Sequence, residues 1–129
     1  MAAFLARLPK KERLKNLGLI QYLFSGTNEK VGKYPLLLFY GVKPQDKIES
    51  NVQVLFSVSK KKFPRAVDRN RVKRLMREAY RKQGFSSIQP KNKEQLLLAI
   101  VYTGRTIVSY DEVEKSMIAL YDVLTKRFS

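Results

Sequence analysis

Apolar positions recur along the chain with two distinct periods. Residues 52–59 alternate: Val52, Val54, Phe56 and Val58 share one face, and Gln53, Leu55, Ser57 and Ser59 the other. Period two with β-branched residues predicts a strand with one face on a core. The opposite face is unusually polar, which leaves it available to a ligand. Leu36 to Val42 is a compact apolar run, with Pro35 at its entry and Pro44 after its exit, and predicts a second strand. Its parity puts Leu37 and Phe39 on one face and Leu36, Leu38 and Tyr40 on the other. Gln95 to Thr103 (QLLLAIVYT) predicts a buried strand.

The helical period appears elsewhere. Within residues 67–82, Val72, Leu75, Met76 and Ala79 form an amphipathic stripe, and Gly84 ends the helix. The last helix opens with a capping box, Ser109 and Glu112, and buries Val113, Met117, Leu120 and Leu124. Residues 17–25 predict a short helix. Composition makes Gly26 to Lys33 a loop and Lys43 to Ser50 a polar connection. The order is helix, strand, strand, helix, strand, helix, with room for one more short strand before residue 51. This is an α+β fold: a small α/β sandwich with helices packed on a sheet. The 129 residues make one domain, 16–129, preceded by a basic arm, 1–15, expected to order only on binding.

Charge changes the picture. The chain carries 26 Lys and Arg against 11 Asp and Glu, a formal charge of +15. Residues 57–82 hold eleven cations and two acids, and residues 7–15 hold five and one. Nearly all of the excess therefore sits in two segments. Such a field calls for a polyanion: nucleic acid is the first candidate and an anionic membrane surface the second. A membrane surface is disfavoured. The basic helix has a narrow apolar face without Trp or Phe, and no apolar run approaches the length that spans a bilayer. The chain reads as a cytoplasmic protein.

With no Cys and no His, thiol nucleophiles, Cys/His zinc sites and a Ser-His-Asp triad are excluded. No carboxylate cluster resembles a two-metal site. Asp111, Glu112 and Glu114 instead suit the positive end of a helix. A stand-alone nuclease would lack its acid–base groups. No helix-turn-helix or zinc motif suggests DNA.

The middle helix breaks a local rule. It opens Asp68-Arg69-Asn70-Arg71-Val72-Lys73-Arg74, crowding cations at the positive end of its dipole. A bound phosphate would resolve the conflict. Arg69, Lys73 and Arg77 fall on one stripe, with Asn70, Arg74 and Arg81 beside them. Arg65 precedes them, and the apolar stripe faces the other way. Arg forks match phosphate oxygens.

The run from Ser57 to Arg81, SVSKKKFPRAVDRNRVKRLMREAYR, resembles the signature of the protein subunit of bacterial ribonuclease P. The Arg-Asn-Arg-x-Lys-Arg core follows a lysine turn and an Ala-Val pair. Three features depart from the family pattern: Pro64 stands where Gly is common, the lysine turn is one residue longer, and the first helix offers Leu19 and Leu23, with Tyr22 and Phe24 adjacent, where Phe is usual. Either Lys61 or Lys62 is then the family's turn lysine.

The resemblance implies an element order αβββαβα and a mixed four-stranded sheet. It implies a subunit of the ribonucleoprotein that removes the 5′ leader from precursor tRNA. Mg²⁺ would be held mainly by the partner RNA, which would do the hydrolysis. Arg65, Arg69, Asn70, Arg71, Lys73, Arg74, Arg77 and Arg81 would contact that RNA. Leu19, Leu23, Leu37, Phe39, Ser57, Lys61 and Lys62 would line a cleft for the single-stranded leader. A different RNA-binding module, such as a ribosomal protein or assembly factor, is the alternative that composition alone permits.

Overall fold

The computed structural model describes residues 8–26, 28–44, 50–90 and 93–128. Helix α1 spans Leu17–Leu23, α2 Ala66–Gln83 and α3 Tyr110–Arg127. The strands are β1 (Glu29–Lys33), β2 (Leu36–Pro44), β3 (Val52–Val58) and β4 (Glu94–Tyr102). The order is the αβββαβα implied by the resemblance. The four strands form one mixed sheet in the order β1-β2-β4-β3. β2 pairs antiparallel with both β1 and β4, and β3 pairs parallel with β4.

β1 is a correction, because composition made residues 26–33 a loop. It is an edge strand with little buried surface. Its backbone pairs with β2 through a hairpin at Tyr34-Pro35, so no alternating apolar pattern is needed to hold it. In β3 the alternation is realised residue by residue: Val52, Val54, Phe56 and Val58 are buried and the residues between are half-buried.

β4 is covered on both faces. Leu96, Leu98 and Ile100 enter the main core with α2 and α3, where Val72, Met76, Ala79, Val113, Met117, Leu120 and Leu124 are fully buried. Leu97 and Ala99 enter a second, smaller cluster with Leu14 and Leu23. α2 ends at Gly84, whose φ of 73° is a left-handed conformation that glycine adopts without strain. α3 begins at Ser109, whose Oγ accepts the Glu112 N–H at 3.3 Å.

The basic arm is a second correction for its described part, 8–15; residues 1–7 lie outside the described residues. Residues 8–15 form a strap across β3. Leu8 and Leu14 are buried. The Leu14 N–H donates to Val54 O at 3.0 Å, and Gln53 Nε2 donates to Lys11 O at 3.0 Å. Charge marked the segment as solvated, but two leucines at its ends dock it.

Two buried tyrosines differ in a testable way. Tyr102 Oη donates to Thr106 O at 2.7 Å and accepts the Val108 N–H at 3.1 Å. Tyr80 Oη is buried without a partner among the described residues. Tyr102→Phe should cost roughly 1–3 kcal/mol, whereas Tyr80→Phe should leave stability unchanged or raise it. Urea unfolding of both variants checks this.

Candidate RNA-binding surface

The seven cations and one amide expected on one basic rod divide into five groups. α2 is 18 residues long, about 27 Å at 1.5 Å per residue, so its ends cannot serve one contact. Arg65 lies at the N-cap and pairs with Asp68 at 3.8 Å. Asn70 and Arg71 are exposed on the first turns. Lys73, Arg74 and Arg77 line a groove shared with the strap. Arg81 lies at the far end, beside Glu78, Lys82 and Tyr110.

Arg69 is tied into the fold. Its Nη1 donates to Phe63 O and Pro64 O, both at 2.8 Å. These carbonyls belong to the turn between β3 and α2. Phe63 is buried, with its ring edge-on to Tyr102. Ser59 Oγ accepts the N–H groups of Lys61 and Lys62, and Ser59 O accepts that of Phe63. One of the cations crowding the helix start thus serves carbonyls rather than solvent. No side chain caps the helix start.

The turn also separates its two candidate lysines. Lys62 Nζ donates to Thr103 O at 3.0 Å. The Lys61 side chain is exposed and has no partner among the described residues. Lys61 is therefore the lysine left to reach a ligand.

The groove measures about 500 Å³ and is lined by Arg13, Lys15, Lys73, Arg74 and Arg77 over a floor of Leu14, Val54, Leu55 and Phe56. No carboxylate lines it. Burial, together with the neighbouring charges of Arg13 and Arg74, lowers the pKa of Arg77. The sequence placed Arg13 and Lys15 only in a diffuse basic arm. Nothing in their spacing signalled that the strap would lay them against α2.

Strand register orders the other surface. Leu37, Val101 and Ser57 stand in one row across β2, β4 and β3, and Phe39, Ala99 and Leu55 in the next. The first row is half-buried. The second is roofed at Ala99 by α1 and the strap. Phe39 keeps one edge against Phe24, with centroids 4.8 Å apart. Leu19 is half-buried in this cluster, but Leu23 is only 1% exposed. Leu23 is thus a correction: it packs on Leu97 and Ala99 and cannot line a cleft. Val101, which the sequence assigned simply to a buried strand, stands in the half-buried row.

Among the described residues, no three carboxylates converge to hold a metal and no helix is long and apolar enough to cross a membrane.

The family model for Ribonuclease P matches residues 8–125. The chain belongs to the ribonuclease P protein component family. It is 38% identical over 105 residues to the ribonuclease P protein component of Chlorobaculum tepidum, covering 76% of this chain and 68% of that one. The Chlorobium phaeobacteroides protein is 43% identical over 107 residues, covering 75% and 72%. In fold, the chain is similar to the Staphylococcus aureus RNase P protein, with a TM-score of 0.67 and 19% identity over 92% of this chain and 98% of that one. Membership makes the chain a protein subunit of a tRNA-processing endoribonuclease, with an RNA partner in the ribonucleoprotein.

The division within the Arg-Asn-Arg run has a measurable consequence. Arg69→Ala should cost roughly 1–2 kcal/mol, because two carbonyls lose a charged donor. Arg71→Ala, at an exposed position, should stay within about 0.5 kcal/mol of the parent. Chemical denaturation distinguishes them without any RNA.

Proposed function

We propose that this subunit binds two stretches of RNA and breaks no bond itself. The strap–α2 groove, with exposed Asn70 and Arg71 on the neighbouring turn, holds the large catalytic RNA by its phosphates. The half-buried row Leu37, Val101 and Ser57, with Phe39 beside it and Lys61 at its end, holds the single-stranded 5′ leader of precursor tRNA. Hydrolysis belongs to the partner RNA, which holds the Mg²⁺ ions. The protein works in the cytoplasm, where precursor tRNA is made.

The observation that carries this reading is the convergence of five cations on one groove whose lining includes no carboxylate. Among the described residues only two ion pairs form, Arg65–Asp68 and Lys82–Glu114. Most of the positive charge is therefore left for an external anion, and a phosphate backbone supplies it with release of counterions. The sheet row suits a different ligand. Unpaired bases offer apolar faces and polar edges, which match Leu37 and Val101 on one side and Ser57 on the other.

The test mixes the purified protein with a bacterial ribonuclease P RNA and a precursor tRNA at low Mg²⁺, omitting each component in turn. Leader release should require both the RNA and the protein. Arg71→Ala and Arg74→Ala should weaken binding to the large RNA and flatten its salt dependence by roughly one phosphate contact each. Leu37→Glu and Ser57→Glu should instead weaken binding of leader-bearing substrate, with little effect on a substrate lacking the leader. Cleavage by the protein alone would overturn the assignment of chemistry to the RNA.

A further inference from the structure

We propose that a small cavity between the strap and the C-terminal end of α2 takes one unpaired guanine base, read by Glu12, Tyr80 and Arg81. The assignment of that base to the partner RNA rests on the RNA-binding reading above. The cavity is separate from the basic groove, and its chemistry is different.

The cavity measures about 230 Å³. Leu8, Pro9 and Glu12 of the strap line one side, and Tyr80, Arg81 and Phe85 at the end of α2 line the other. Pockets for drug-sized ligands run to roughly 300–1,000 Å³, so this one suits a single flat ring system rather than a whole nucleotide.

Polar groups on its walls lack partners among the described residues. Tyr80 Oη is buried without a hydrogen bond. Its ring is held in place: it stacks on Phe85 with centroids 4.4 Å apart and meets Phe56 edge-on at 5.5 Å. Burial raises the pKa of the hydroxyl, and the negative charge of Glu12 raises it further. The hydroxyl therefore keeps its proton and faces the Glu12 side, into the cavity. The Glu12 carboxylate is half-buried and pairs with no cation among the described residues. Arg81 is exposed and pairs with no acid among them. A buried polar group without a partner is rare in native proteins and marks a place where a bound molecule completes the bonding.

The walls limit what that molecule is. Glu12 repels an anion and Arg81 repels a cation, so the ligand is neutral and carries both donors and acceptors. Leu8, Pro9 and Phe85 add apolar surface for a ring face. Among RNA bases only guanine sets adjacent N–H donors, N1 and N2, beside the acceptor O6. A carboxylate accepts both N–H groups, the neighbouring Tyr80 hydroxyl donates to O6, and a guanidinium fork serves O6 and N7. Adenine and cytosine would turn a ring-nitrogen lone pair toward the carboxylate. Uracil has a single N–H between two carbonyls. Unpaired bases in RNA are read on this edge, whereas a paired guanine has already used it.

The experiment uses the full chain and guanosine, which carries no phosphate and so does not load the basic groove. Binding is followed by amide chemical shifts in an NMR titration, with adenosine and inosine for comparison. Guanosine should shift the amides of Phe85 and Ser86 and bind more tightly than either. Inosine lacks the N2 amino group, so its deficit reports on the Glu12 contact. Glu12→Gln and Tyr80→Phe should each weaken guanosine about tenfold or more. Tyr80→Phe keeps the packed ring, so it isolates the hydroxyl even where Glu12→Gln loosens the strap. In a second arm, ribonuclease P RNA bound to the parent or to Glu12→Gln is treated with a glyoxal reagent that closes a ring on N1 and N2 of unpaired guanines. A guanine shielded by the parent should become reactive with Glu12→Gln.

Equal affinity for guanosine and adenosine, or unchanged guanosine affinity in both variants, overturns the site and leaves the RNA-binding reading standing. If guanosine binds as expected and no guanine of the RNA changes its reactivity, the cavity takes a free nucleoside and its assignment to the RNA is overturned. If the parent binds no RNA, the functional reading fails, and the nucleoside titration still decides the cavity.

Discussion

β4 has no polar face between Leu96 and Ile100, and the rest of the molecule is arranged to cover it. Five consecutive residues there are wholly buried. Full burial of each leucine or isoleucine is worth about 1.5–3 kcal/mol, so exposing either face would forfeit a large part of a small domain's stability. One side is covered by α2 and α3, the usual solution for a sheet. The other side needs a second layer, and α1 with the strap supplies it through Leu23 and Leu14. The strap is held by this apolar requirement and by a few backbone bonds. Its cations follow where its leucines lead, which is how Arg13 and Lys15 come to face Arg77.

Charge is then the property that the fold leaves unresolved. Apolar burial pays for the compact state, and the cations contribute little to it. Ion pairs such as Arg65–Asp68 and Lys82–Glu114 lie at the surface and contribute little, and the net charge of +15 remains after every acid is counted. The start of α2 shows the tension most directly. No side chain caps the helix, and cations crowd its positive end. Arg69 is diverted to the carbonyls of Phe63 and Pro64, where it orders the turn that presents Lys61. The conflict that looked like a single phosphate-binding device is thus two devices, one internal and one facing outward.

Much of the architecture was legible because local pattern and tertiary demand agreed. The alternation of β3, the stripe of α2 and the capping box of α3 each describe a surface that one chain segment alone determines. Leu37, Phe39 and Ser57 were correctly placed on a shared face, since parity decides that. Parity does not say what lies over a face. Val101 was therefore passed over, and Leu23, which the resemblance put in a cleft, is instead buried against Leu97 and Ala99. Composition read β1 as a loop because an edge strand draws on backbone pairing rather than on side-chain pattern. The carbonyl bonds of Arg13 and Arg69 were illegible in the sequence for one common reason. A charge run in a sequence specifies sign and density, but hydrogen bonds to carbonyls are made only after the chain has folded back on itself.

β3 is the element that the sheet face and the strap groove share. Its odd-numbered residues send side chains to the sheet face, where Ser57 stands in the row with Val101 and Leu37. Its even-numbered residues send side chains into the core and turn their backbone groups to the free edge. One strand therefore presents side chains on the sheet face and backbone groups along its free edge. Its position is fixed between them by β4 on one side and the strap bridge at Val54 on the other. A small shift of β3 would disturb both surfaces together. A change at Arg71 would disturb one. Parallel pairing makes this sharing possible, because the crossover that returns the chain from β3 to β4 is α2 itself. The same connection that closes the core carries the cations to the edge where the strand lies open.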